Sequence, residues 1–221
     1  MKQSIRAFAM LLFLLASSAM AQDISLLPKY GGQTKTEAQQ AADARFLEQI
    51  DKGFKGDRRQ AASEVAKAGW QLLRTRQMPD AMRRFNQAWL LDPHNGISLW
   101  GMAVLEADQG RADSSLALFR EAESATGNDL QFAVDEARAI SFAALAKQDK
   151  ALMQEALTRF SNVHARAPQH TANLQNWAIA LFETGDYAAA WDKIKLAEAT
   201  PGVAEIDPGF VKALTEKMAR L

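Results

Sequence analysis

The sequence predicts an all-α protein, a solenoid of repeated helix pairs. Three observations predict it: a small, bulky, small spacing of residues that recurs 34 positions on, glycine and proline confined to points between helical stretches, and few β-branched residues. The 221-residue chain is 48% hydrophobic and carries 26 Lys+Arg against 26 Asp+Glu. Such a composition describes one globular domain or two small ones and excludes low-complexity and disordered classes. Balanced charge offers no basic patch that could neutralise many phosphates, so nucleic acid is not an expected partner. The absence of Cys excludes disulfide scaffolds, thiolate zinc sites, iron–sulfur clusters and a thiol nucleophile.

Residues 1–21 read as a signal peptide. Lys2 and Arg6 precede an apolar run from Ala7 to Ala16, and Ala19-Met20-Ala21 places small residues where a signal peptidase reads them, so cleavage is expected after Ala21. The run is shorter than the roughly 20 residues that span a bilayer, and no Cys follows it to accept a lipid. The expected product is an exported, freely soluble protein, with the periplasm as the compartment that suits a disulfide-free chain. Removal of Lys2 and Arg6 with the leader leaves a weakly negative balance that decides nothing about partners.

Residues 22–35 hold Pro28, Gly31 and Gly32 without periodicity and read as a flexible lead-in. The segment 36–57 reads as an N-terminal helix. Thr34 and Glu37 have capping-box spacing, Ala42, Phe46, Leu47 and Ile50 share a face, and Gly53 and Gly56 close it. Asp57 then caps a helix over about 58–76, with Ala61, Val65, Ala68, Leu72 and Leu73 spaced for burial.

The repeat begins here. Ala81, Phe85, Ala88 and Pro93 are matched 34 positions later by Ser115, Phe119, Ala122 and Gly127, with Gly110 as a turn before the second set. Ala156, Phe160, Val163 and Pro168 keep the internal spacing but follow Ser115 by 41 positions, a lengthening of about seven around Asn128 to Val134. Ala190, Ile194, Ala197 and Pro201 form the fourth copy, again 34 positions on at their first member. Each unit implies two helices and a short turn, in which small residues allow close approach, the bulky residue wedges between neighbours, and proline ends the second helix. In 204–221, Asp207-Pro208 starts a last helix whose underside is Phe210, Leu214 and Met218, with Lys212, Glu216, Lys217 and Arg220 facing water.

The order small, large, small, Pro, together with Gly185-Asp186-Tyr187 in the last unit and Gly69 at a close-packing position, resembles the tetratricopeptide repeat. Unit three departs from the pattern by its lengthened entry and by Gln148-Asp149-Lys150 where a Gly turn is usual. The resemblance implies a right-handed α-solenoid with four repeats over 58–203, an N-terminal helical extension and a C-terminal capping helix over 204–221. It also implies a concave surface built from the first helix of each unit and used for binding.

Catalytic constellations are lacking in the sequence. His94 lies at a helix end, and His164 and His170 are six apart, a spacing that does not place them on one helical face. Ser114 and Ser115 lie inside a repeat helix without a partner base. Glu106, Asp113, Glu121 and Glu123 read as exposed helical carboxylates suited to surface pairs, and no glycine-rich phosphate loop is present. The expectation is a non-enzyme with no metal and no cofactor.

Register carried over from the repeat family places Ala66, Trp70, Leu73 and Arg74 on the concave side of unit one, and Trp100, Gly101 and Val104 on that of unit two. Unit three contributes Ser141 and Leu145, and unit four Gln175, Asn176, Ile179 and Phe182. Trp70 and Trp100 stand where relatives that clamp a C-terminal carboxylate carry polar or basic groups, which argues against that ligand. Trp89, Trp177 and Trp191 read as packing residues. For Trp70 and Trp100 two roles stay open: binding, or packing beneath the N-terminal helix or beneath Leu26, Leu27 and Tyr30. Arg74, Arg76, Arg83 and Arg84 form a modest basic cluster that a solvated helical face explains equally well. The reading that follows is a periplasmic interaction or scaffold module that takes a peptide or partner helix on an apolar, aromatic groove, in envelope or secretion-system assembly. The alternative is a binder of small molecules or cell-wall fragments.

Overall fold

The structure is a computed structural model and describes residues 23–126 and 129–220. The expected leader and Gly127 lie outside the described residues. Ten α-helices and no strand occur among them: α1 Glu37–Gly53, α2 Arg58–Arg74, α3 Met78–Leu91, α4 Gly96–Asp108, α5 Ala112–Thr126, α6 Leu130–Lys147, α7 Lys150–Arg166, α8 Thr171–Glu183, α9 Tyr187–Glu198 and α10 Pro208–Lys217. Helices α2/α3, α4/α5, α6/α7 and α8/α9 are the four antiparallel pairs, and α2, α4, α6 and α8 also pack on one another in sequence. The first helices therefore form one continuous layer, the inner face, and the second helices lie behind it.

The repeat positions are the core. Ala81, Phe85, Ala88, Ser115, Phe119, Ala122, Ala156, Phe160, Val163, Ala190, Ile194 and Ala197 are all at most 2% exposed. Small residues let the backbones approach, and the rings fill the space left between successive pairs. Phe85 is the clearest case: a Cβ on Gly101 would sit 2.2 Å from its ring, and one on Gly69 2.6 Å from it. The ring occupies the volume that both glycines vacate.

Each pair turns through one residue in left-handed backbone, two positions before the second helix. These are Arg76 (φ 60°), Gly110 (φ 74°), Gln148 (φ 53°) and Gly185 (φ 84°). The unusual Gln148 turn of unit three thus takes the glycine conformation without glycine, at a steric cost that the surrounding pair must offset. Asp57, Asn95, Asp129, Asp149 and Asp186 then cap the following helices, each accepting a backbone N–H.

Four expectations are corrected by the fold. The capping box of α1 is Thr36 with Gln39, not Thr34 with Glu37: the Thr36 hydroxyl accepts from Gln39 N–H while the Gln39 amide oxygen accepts from Thr36 N–H at 2.8 Å. Of the expected α1 face, Phe46, Leu47 and Ile50 pack toward Ala61, Ala62 and Leu91, but Ala42 stays exposed. Glu106 is buried, because Arg111 folds back to pair with both of its oxygens. The fourth concerns the lead-in, which is not a loose strand.

Residues 23–33 form two 3-10 turns, Ile24–Leu26 and Pro28–Gly32, that lie on α3. The buried Asn86 amide donates to the carbonyls of Ser25 (2.8 Å) and Leu27 (2.9 Å). Tyr30 is buried, its ring centroid 6.5 Å from that of Trp89. Arg83 reaches Asp23, and Lys29 pairs with Glu121 on α5 at 2.5 Å. Two backbone carbonyls held by one fully buried amide fix the segment, and they fix it to the outer layer, away from the inner face.

At the other end Asp207 caps α10, Leu214 is fully buried, and the Trp191 indole donates to Met218 O at 3.0 Å. Arg220 faces water as expected, and there it pairs with Glu198.

Candidate functional site

The inner face carries one open cavity of about 760 Å³, between the first helices of units one, two and three. Trp70 and Arg74 of α2 and Trp100 and Val104 of α4 line it, as does Ile97. Its far wall was not foreseen: Asp129, Gln131 and Asp135. They stand on the cap and first turns of α6 and owe nothing to the lengthening of unit three: the α6 cap Asp129 follows the α4 cap Asn95 at the ordinary repeat spacing, so the extra residues fall near the Gln148 turn and not, as expected, around Asn128 to Val134. Helix α6 has 18 residues, against 13 in α4 and α8, and it is its first turns that stand beside Trp100.

The two indoles form the floor. Trp70 and Trp100 have centroids 4.6 Å apart and planes tilted by 59°. Trp70 donates to Ile97 O at 3.2 Å and meets the ring of Phe85 edge-on. Trp100 donates to Asp135 Oδ2 at 3.0 Å and meets Phe132 edge-on. Each indole N–H is thus satisfied inside the protein, which holds the rings in place while part of each remains exposed. Packing and lining are both true of these residues, and neither the lead-in nor α1 covers them.

Electrostatics differ between the walls. Burial pushes the Asp135 carboxyl above its ordinary value, against the opposing pull of Arg138 and of hydrogen bonds from Gln131 and Trp100. Arg138 is itself engaged with Asp108 at 3.1 Å. On the opposite wall Lys67 pairs with Glu64 at 2.7 Å, and Arg74 is exposed at the rim.

The other expected groove positions separate from this cavity. Ala66 and Gly101 are buried, the latter against Phe85, because small residues on this layer admit the neighbouring helix. Ser141 is buried and donates to Arg138 O in its own helix. Leu73 lines a neighbouring depression with Arg74, Arg76 and Phe142. Leu145 stands exposed beyond it on α6.

In unit four the capping helix takes the positions. Gln175 accepts from Asp207 N–H at 2.6 Å, and Phe182 packs edge-on to Phe210 with centroids 5.6 Å apart. Asn176 donates to Ala172 O within α8, and Ile179 is half-buried. The segment from Asp207 through α10 packs where a fifth repeat would begin, so α8 does not extend the groove.

His164 stacks edge-on with Trp177 between α7 and α8, and His170 accepts from Asn173 N–H as the cap of α8. Among the described residues no three His, Asp or Glu are grouped to hold a metal ion, and no helix is long and apolar enough to cross a membrane.

No family model matches the sequence, and no curated protein matches it significantly. Solved structures match by shape. A thermophilic TPR protein of Thermus thermophilus, TTC0263, aligns with a TM-score of 0.62 at 18% identity, over 72% of this chain and 84% of its own. YrrB, described as a TPR protein with an unusual peptide-binding site, aligns with a TM-score of 0.51 at 18% identity, over 81% of this chain and 86% of its own. With the buried repeat positions and four stacked helix pairs, these likenesses show that the chain has the tetratricopeptide-repeat fold.

Proposed function

We propose that the protein is an exported, non-catalytic interaction module that holds a segment of a partner protein in the Trp70–Trp100 cavity, serving assembly of the cell envelope or of a secretion system. The open cavity of about 760 Å³ on the inner face carries this reading. Its floor is aromatic, its indoles are fixed by internal hydrogen bonds, and its walls are polar, the composition of a site that anchors side chains and orients them. The peptide-binding site for which YrrB is described supports a peptide ligand here. The leader-like residues 1–21 support export to the periplasm.

Photo-crosslinking from position 100 in living cells, followed by mass spectrometry, tests the reading. A discrete envelope protein in the adducts is the expected result. Adducts confined to residues of the same chain would overturn it. Saturable quenching of tryptophan fluorescence by soluble cell-wall fragments, with no protein adduct, would transfer the cavity to a small-ligand role, which two partly exposed indoles in a volume of this size also fit.

A further inference from the structure

We infer that the cavity selects a segment carrying one basic side chain, Lys or Arg, laid on the Trp100 face with its charge at the Asp135 carboxylate. The inference rests on the proposed peptide-binding role and names the chemistry of the peptide.

Asp135 has two oxygens and two neutral donors: Gln131 Nε2 at 3.0 Å to one, and the Trp100 indole at 3.0 Å to the other. No Lys or Arg forms an ion pair with it among the described residues, since Arg138 is committed to Asp108. The carboxylate is half-buried at the cavity wall, influenced by Arg138 but in no ion pair among the described residues, an arrangement that holding a fold does not require and that a cationic guest would complete.

The indole of Trp100 points its N–H at that carboxylate, so its ring borders the same space. A guanidinium or ammonium there meets a π face and an anion together, which is a stronger recognition than either alone. Ile97 and Val104 line the floor beside the rings and suit the aliphatic stem of a long basic side chain.

The positive groups of the opposite wall do not reverse the preference. Lys67 is neutralised by Glu64, and Arg74 is exposed, so water and salt screen it.

A display library of random hexapeptides, selected on the intact protein at moderate salt, provides the test. Enrichment of a single Lys or Arg, reduced at least tenfold when selection is repeated on Asp135→Asn of unchanged helix content, is the expected result. Enriched peptides that are acidic or purely apolar, or a basic preference that persists in Asp135→Asn, would overturn the inference while leaving the interaction role standing. A library that yields no enriched peptide, together with no partner crosslinked from position 100, would remove both. Should Asp135→Asn fail to fold, selection on the wild type still decides by the charge of what it enriches, and Trp100→Phe reports whether the indole is needed.

Discussion

Replacing Gly101 with Ala inverts the usual effect of such a change. In an ordinary helix interior Gly→Ala gains about 1 kcal/mol, because the unfolded chain loses freedom and the helix gains propensity. Here the new methyl carbon would lie 2.2, 2.4 and 2.5 Å from three carbons of the Phe85 ring. The ring has nowhere to go. It is fully buried, Gly69 lies against it from the preceding helix of the layer, and Trp70 meets it from the cavity side. Overpacking of a filled core costs about 1–3 kcal/mol. Where strain outweighs the propensity gain the net loss is on the order of 1–2 kcal/mol, or a fall of roughly 2–8 °C in melting temperature for a chain of this size. Thermal melts of Gly101→Ala beside Gly53→Ala make the comparison, since nothing lies within 4 Å of a Cβ at Gly53 and that control should be neutral or slightly stabilising. In the pair Gly101→Ala with Phe85→Leu, the smaller side chain should absorb part of the clash, giving a loss smaller than the sum of the two single changes. A Gly101→Ala protein that melts at or above the wild type would refute the wedge account of repeat packing.

Four further outcomes follow from the same structure. Gln148→Gly relieves a left-handed side-chain residue and should raise stability by about 1 kcal/mol in chemical denaturation; a loss would mean that the Gln148 side chain contributes more than its backbone strain. Asn86→Ala removes both donors that hold the lead-in, so residues 23–33 should lose hydrogen-exchange protection, with a loss of about 1–3 kcal/mol. Deleting 205–221 strips Leu214 and Phe210 from the last pair and should lower the melting temperature by many degrees, with red-shifted Trp191 emission; an unchanged melt would contradict the capping role. Asp135→Asn should melt higher at pH 7. A carboxyl raised in the folded state penalises folding when ionised, and that penalty fades as pH falls through the raised value, so the gap to wild type should close below about pH 4.

The core was legible because its rule is local and periodic: Ala81, Phe85 and Ala88 recur as Ser115, Phe119 and Ala122, and all are buried. The lead-in was not, because its order is imposed by Asn86, some sixty residues away in sequence, and nothing within Pro28 to Gly32 signals that partner. Half of the cavity was visible as Trp70, Arg74, Trp100 and Val104. The other half was hidden because the sequence pattern places the extra residues at the entry of unit three, which breaks the register that ties Asp129 to Asn95, whereas the structure has them on either side of Gln148. Asp129 followed by apolar Leu130, Phe132 and Val134 was the available sign of a capped helix rather than a loop. Gln175 and Phe182 were placed on the groove by repeat logic, but a terminal unit has a cap where inner units have open surface.

The lengthening of unit three is shared between its two helices. The caps Asn95 and Asp129 keep the ordinary 34-residue spacing, but the left-handed turn at Gly110 is followed 38 positions later by Gln148, and Gln148 is followed 37 positions later by Gly185. The extra residues thus lengthen the end of α6 and the beginning of α7, by about one helical turn each. Because the helices of a pair run in opposite directions, a turn added to one is matched by a turn added to the other, and their far ends keep step with the neighbouring units. A solenoid can thus grow one pair taller at its bend, as a hairpin is lengthened at its tip, while the cavity wall at the other end of α6 and the spacing that holds the stack together go untouched.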